Sequence, residues 1–229
     1  MLYPLSYKRL ATLPWHTFFI GRYRPNVRPL GRADYKIPPP SHTGRMALWR
    51  NQILPRVIDL SLGTAEVAAW RKKCLQGIAG VVVEPGFGSG LNIAHMPSGV
   101  TTVYAVDPAV VGQKLAADRV AASPINVQYV GLDGQRLPLD DASCDAGLLT
   151  FTLCTIPDAP AALAELRRVI RADGTLHFVE HGAAPDAGVR RWQDRITPLQ
   201  RKVADGCHLN RQIVDLITDA GFQVEWSEA

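Results

Sequence analysis

The sequence predicts an α/β fold: a parallel sheet with helices on both faces. Three observations carry this. Val81-Val82-Val83 is a β-branched run that gives way to Glu84 and then to glycines at every second position, as a buried strand does when it ends in a tight turn. From Thr101 to Glu180, short apolar strands alternate with segments of helical period, which builds strand–helix–strand units. At 229 residues and 47% hydrophobic content, the chain suffices for one domain with a sizeable core.

The chain opens with a basic, proline-rich arm, residues 1–44. Pro4, Pro14, Pro25, Pro29 and Pro38-Pro39-Pro40 exclude long helices there. Up to residue 45, eight bases face the single acid Asp34, which leaves 17 bases and 20 acids to the remainder. Arginines beside Tyr3, Trp15, Phe18 and Phe19 suit peripheral contact with a membrane surface. The lack of an amphipathic period favours instead an irregular arm packed over the domain, or a disordered leader.

Residues 45–229 form the domain. Helical pattern begins near Met46, with Leu48, Ile53, Val57, Ile58 and Leu60 on a shared face and Pro55 kinking or dividing the element. Thr64 N-caps a helix from Ala65 to about Gln76, and Arg71-Lys72-Lys73 stand in its later turns, where the dipole favours cations. After the strand and glycine turn, Leu91 to Ala94 reads as a helix start. Strands follow at Thr101 to Val106, Ile125 to Val130, Asp145 to Thr150 and Thr175 to Glu180. Helices lie between, from about Ala109 to Ala122 and from Ala159 to Arg171. The latter sets Ala162, Leu163, Leu166, Val169 and Ile170 against Glu165, Arg167 and Arg168. Beyond them come helices from about Ala187 to Ala204, containing Pro198, and from Leu209 to Ala220. Phe222 to Trp226 is a last short strand.

No apolar run approaches the ~20 residues that span a bilayer. Cys74, Cys144, Cys154 and Cys207 show no CxxC pairing, which favours free thiols in a reducing, cytoplasmic compartment over bridges or zinc, so no metal is expected.

The turn itself narrows the ligand. A dinucleotide fingerprint, GxGxxG, requires glycine at position 91, where Leu91 stands. The spacing is instead Glu84-x-Gly86-x-Gly88-x-Gly90, and the acid ahead of the turn favours a ligand bearing an ammonium or sulfonium. Asp107 closes the second strand 17 residues after Gly90, placed to accept ribose hydroxyls.

Glu84-x-Gly86-x-Gly88-x-Gly90 resembles motif I of the class I S-adenosylmethionine (SAM)-dependent methyltransferases, which have a Rossmann-like sheet. Gly131-Leu132-Asp133-Gly134 with Leu137-Pro138-Leu139 is similar to the stretch that flanks adenine in that family. The resemblance implies that Asp133 accepts the adenine amino group, that Gly134 lies near the ring, and that Thr150 lines the cofactor site. Phe151 to Asp158, Phe178 to Gly182, Arg191-Trp192-Gln193 and Asp205 to Arg211 look like the subgroup of thiol S-methyltransferases and relatives of quinone-biosynthesis methyltransferases. The resemblance covers about residues 46 to 226. It implies methyl transfer from SAM to a small molecule bearing a thiol, hydroxyl or activated carbon.

On the acceptor side, His181 is the first candidate for a base or orienter, with a histidine bonded to a loop carbonyl as the equal alternative. Asp205 and His208 are further candidates, against a capping and loop-closing role. Cys154 and Cys207 read as buried small residues, and Trp192 as core or pocket wall. Nucleic acid as acceptor is disfavoured, because Thr152-Leu153-Cys154-Thr155 offers no clamp for a flipped base.

One departure bears on the fold. Domains of this family finish with an antiparallel strand inserted beside the fifth, and the sequence has no seventh strand after Phe222 to Trp226. The expectation is an incomplete sheet with a more open pocket, or a partner over the edge. That motivates an alternative reading as a non-catalytic or degenerate SAM-binding protein. An NAD-dependent oxidoreductase is a lesser one.

Overall fold

The computed structural model describes residues 17–25 and 48–228. Seven strands form one sheet: β1 (Thr17–Pro25), β2 (Gly80–Pro85), β3 (Val100–Val106), β4 (Asn126–Gly131), β5 (Cys144–Thr150), β6 (Ile170–Gly182) and β7 (Phe222–Glu228). Their order is β4-β3-β2-β5-β6-β1-β7. The run from β4 to β6 is parallel, as the strand–helix alternation requires, and β1 runs antiparallel to both β6 and β7.

The sheet is therefore complete, and the expected missing strand is a misreading. The place between β6 and β7 is filled from the stretch assigned to the arm. Thr17–Pro25 alternates, with Phe19, Gly21 and Tyr23 buried and Phe18, Ile20 and Arg22 half-buried. Pro25 is its last residue, an end position where a missing N–H does not interrupt the ladder. Gly21 is required by close packing: a Cβ there would lie 2.8 Å from the Phe178 ring and 2.7 Å from the Trp226 carbonyl oxygen. Of the aromatics read as membrane-facing, Phe18 and Phe19 are taken up half-buried and buried in β1, while the rest of that reading falls in residues 1–16 and 26–47, outside the described residues.

The helices are α1 (Leu54–Leu62), entered through a π-helical turn at Trp49–Ile53, α2 (Ala65–Cys74), α3 (Val110–Ala121), α4 (Ala159–Val169), α5 (Ala187–Val203) and α6 (Ile213–Asp219). Pro55 stands in the first turn of α1, where its missing N–H costs nothing. Thr64 caps α2 by accepting from Val67 N. Successive strand residues feed two cores, one on each face. Val83, Leu149 and Phe178 pack with Leu163, Leu166 and Ile217. Val82, Leu148 and Val179 pack with Leu75, Phe87 and Ala116. Period-two alternation thus puts Glu84, Thr150 and His181 on the second face, at the carboxyl ends of their strands.

Several local expectations change. After the glycine turn there is only a 3₁₀ turn, Ile93–His95, because Pro97 follows at once. α6 begins at Ile213 and not Leu209, and β6 begins at Ile170. Leu48, Ile53, Val57, Ile58 and Leu60 share a helical segment but are exposed. Arg167 and Arg168 are buried, not solvent-facing. Arg168 is held by Glu165, by Asp141 and by the carbonyls of Leu137 and Leu139, which meets the requirement that a buried guanidinium be paired.

Candidate active site

Gly86, Gly88 and Gly90 all have left-handed φ, at 74°, 55° and 72°. A Cβ at Gly86 would overlap the Thr152 side chain, and one at Gly90 would stand 3.2 Å from Ala116 Cβ. At Gly88 the space is open, the nearest atom being Gly86 O at 3.8 Å. Two of the glycines thus fit the turn against the protein, and the middle one faces a vacant side.

Beneath the turn lies a buried polar row. Arg71 donates to Asn92 Oδ1 at 2.7 Å, and Asn92 Nδ2 donates to Glu84 Oε1 at 2.6 Å and to Thr150 Oγ1 at 2.9 Å. Glu84 Oε2 is buried with no hydrogen-bond partner. Burial pushes the Glu84 carboxyl up to about 7, against the opposing pull of Asn92 and Arg71. The sequence assigns neither Arg71 nor Asn92 to the site: it sets Arg71 in the later turns of its helix, where the dipole favours cations, and nothing local marks it as buried.

Asp107, at the end of β3, accepts from Gly88 N at 2.8 Å through Oδ2 and from Ala109 N at 2.7 Å through Oδ1. Each oxygen keeps a second lone pair, and burial raises its pKa. Asp133 Oδ1 holds the main-chain and side-chain nitrogens of Gln135, while its Oδ2 is buried without a partner. Gly134 packs on Pro85, where a Cβ would stand 3.2 Å from Pro85 Cβ. All eight residues read as cofactor contacts gather at the ends of β2, β3, β4 and β5. Two orphaned, buried carboxylate oxygens among them suit a cationic group and an amino group, both donors that a bound SAM carries.

The side read as facing the acceptor is built by different elements. β1 lays Phe18 opposite His181 in register. Phe18 meets Trp70 at 4.9 Å and Phe151 edge-on at 5.9 Å, between ring centroids. Phe151 holds a left-handed φ of 56°, a strained conformation for a non-glycine, at the point where β5 ends. Glu180 is buried, and its two oxygens accept from the backbone nitrogens of Thr152, Leu153 and Cys154, which fixes the loop beside the glycine turn. Arg211 closes the same loop by donating to the carbonyls of Leu153 and Ile156. Phe18 belongs to no motif, and Glu180 stands inside the Phe178 to Gly182 stretch without a role read for it, since both act through pairings distant in sequence.

His181 is buried, with Nε2 3.1 Å from Cys207 Sγ. Cys207 Sγ lies 3.8 Å from Cys154 Sγ. The Cys154 thiol and burial push the Cys207 thiol far up, so it stays protonated. His208 is half-buried and bonds the Cys154 carbonyl through its backbone nitrogen and Nδ1, at 2.9 and 3.3 Å, a loop-closing role. Asp205 is exposed on the turn after α5, where it and Gly206 adopt left-handed φ. Trp192 is likewise exposed, neither core nor pocket wall.

Residues 83–178, from β2 to β6, match the family described as the methyltransferase domain. Thiol S-methyltransferase TMT1B of Rattus norvegicus is 32% identical over 164 residues, covering 67% of this chain and 66% of the relative. Residues 83–178 thus carry a methyltransferase domain. TMT1B of Homo sapiens is 26% identical over 219 residues, covering 93% of this chain and 84% of the relative. The chain thus spans just under two thirds of the rat relative and more of the human one. In fold, this methyltransferase resembles the Haloferax volcanii methyltransferase solved with its activator Trm112. The TM-score is 0.57 at 19% identity, covering 79% of this chain and 77% of that one. Among the described residues no helix is long and apolar enough to cross a membrane.

Proposed function

We propose that this methyltransferase transfers the methyl group of SAM to the sulfur of a small apolar thiol. The observation that carries the proposal is the character of the acceptor side. Phe18, Trp70 and Phe151 give it an aromatic wall, and its titratable groups are already engaged, His181 with Cys207 and Glu180 with three backbone N–H groups. Such a site suits an acceptor that ionises with little help. Thiols do so, with a pKa near ~8.5, whereas alcohols need a positioned base. The names of the two TMT1B relatives support the same choice.

SAM brings a methyl group already activated on a sulfonium, so the chain's residues have to bind, orient and exclude water. Glu84 sets a carboxylate against the cationic end, with Gly86, Gly88 and Gly90 admitting the backbone close to it. Asp107 accepts the ribose hydroxyls. Asp133 accepts the adenine amino group beside Gly134. Thr150 fixes Asn92 under the turn. His181 orients the acceptor, and no nucleic acid is involved. Four buried free cysteines support a reducing, cytoplasmic location.

The test is methyl transfer from labelled SAM to a panel of small thiols, phenols and quinols. Labelled thioether from the thiols is the expected result, and labelled phenol or quinol ethers with silent thiols overturn it. Silence across the panel despite SAM binding returns the degenerate reading, whose motive, a missing strand, the seven-stranded sheet has removed.

A further inference from the structure

Cys154, His181 and Cys207 are separated by 26 residues or more in sequence, yet they converge at the acceptor side. Their ligand atoms all lie within 4.8 Å of one another, and all three residues are buried. A tetrahedral zinc with Zn–S of ~2.3 Å and Zn–N of ~2.0–2.1 Å sets its sulfurs about 3.8 Å apart and its sulfur and nitrogen about 3.5 Å apart. The observed Sγ–Sγ separation is 3.8 Å and the Cys207 Sγ to His181 Nε2 separation is 3.1 Å. We propose that Cys154, His181 and Cys207 form a zinc site with two sulfur ligands, one nitrogen ligand and a fourth position left to the acceptor.

The surroundings hold each ligand in place. Cys154 is fixed at its nitrogen by Glu180 and at its carbonyl by His208. His181 sits in the β6 ladder opposite Phe18. Cys207 is set by the left-handed pair Asp205 and Gly206 and by its own bond to the Ala204 carbonyl. Preset ligands of this kind are what a structural or catalytic metal needs from its protein. Two sulfurs and an imidazole select zinc over harder cations such as magnesium or calcium. Three protein ligands and an open fourth position are the pattern of catalytic rather than structural zinc.

The role of the fourth position rests on the thiol reading. A thiol binding there loses its proton to water and forms a zinc–sulfur bond. The bound sulfur then attacks the methyl carbon, the new sulfur–carbon bond forms, and the old carbon–sulfonium bond breaks with its electron pair going to the departing sulfur. S-adenosylhomocysteine and a neutral thioether result, and the thioether, a poorer ligand than a thiolate, leaves the metal.

The full-length chain, stripped with a chelator, is titrated with Co²⁺ and followed by visible absorption. One equivalent with the intense bands of a tetrahedral thiolate site is expected. Cys154→Ser and Cys207→Ser should each weaken it at least tenfold, while Cys144→Ser, altered at the far end of β5, should titrate like wild type. Should the two serine variants fail to fold, alkylation of wild type read by mass spectrometry replaces them, with Zn²⁺ expected to protect Cys154 and Cys207 and not Cys144. Absence of the cobalt bands, their survival in both serine variants, or unprotected Cys154 and Cys207 overturns the site. A small thiol should then shift the cobalt bands where a phenol does not, and unshifted bands with a thiol that is methylated overturn the presentation step. The metal titration uses no acceptor, so its failure is separate from a failure of the thiol reading.

Discussion

Glu84 concentrates the electrostatics of the cofactor side in one carboxyl. Burial raises it from 4.5 to about 7 because the ionised form has lost its water and has only Asn92 and Arg71 in exchange. A carboxyl raised in this way adds stability that is fully present below 4.5 and is lost as the pH rises through about 7, since only the unfolded chain ionises freely. The interval corresponds to about 3 kcal/mol. Urea melts of the cofactor-free protein should therefore show wild type losing more stability than Glu84→Gln between about pH 5 and about pH 8, and equal losses would refute this. The turn above it separates two roles for glycine. Gly86→Ala combines left-handed strain of ~1–2 kcal/mol with overlap on Thr152, so it should lower the melting temperature strongly. Gly88→Ala carries similar strain but meets nothing, so its larger effect should be on SAM affinity. Calorimetry on both variants checks this, and a Gly88→Ala protein that binds SAM like wild type would show that the vacant side is not the cofactor's.

At the scale of elements, β1 does two jobs. It completes the sheet, and its first turn of pleat delivers Phe18 to the acceptor wall beside His181 and Phe151. Phe18→Ala removes a half-buried ring without touching the cofactor residues. The expected outcome is an acceptor KM raised about tenfold, worth ~1.4 kcal/mol, with SAM affinity unchanged. A fall in SAM affinity with unchanged KM would move Phe18 to the other half of the site. This element was also the least legible in the sequence. The parallel strands announce themselves, because each is a short apolar run joined to its helix by local turns. The glycine turn and the acids of β2 and β3 follow from the residue types that such turns require. β1 carries two arginines, ends on Pro25 and pairs with residues more than 150 positions away, so a local reading files it with the prolines around it. Arg71, Asn92 and the meeting of Cys154 with His181 and Cys207 are hidden for the same reason. Each becomes a site only after folding has closed long intervals of chain.

At the scale of the whole molecule, the order β6-β1-β7 makes β1 the sole sheet neighbour of β7 among the described residues. Without β1, the edge of β6 loses its ladder, β7 has no strand to pair with, and Phe19 and Tyr23 leave a void against Phe178 and Phe222. An exposed, apolar sheet edge recruits other chains. A protein lacking residues 1–25 should accordingly aggregate or melt without a cooperative transition, even though every residue read as a cofactor contact is retained. The decisive step is to return the strand. A peptide spanning residues 17–25, added during refolding, should restore a cooperative melt and SAM binding in proportion to its concentration, because an antiparallel insertion between two open edges recovers both ladders at once. A Gly21→Val peptide should fail to do so, since its side chain cannot enter the gap between Phe178 and the Trp226 carbonyl. Equal rescue by both peptides would mean that β1 covers the sheet without being fitted to it, and full stability of the truncated chain would mean that five parallel strands and β7 hold together by their helices alone.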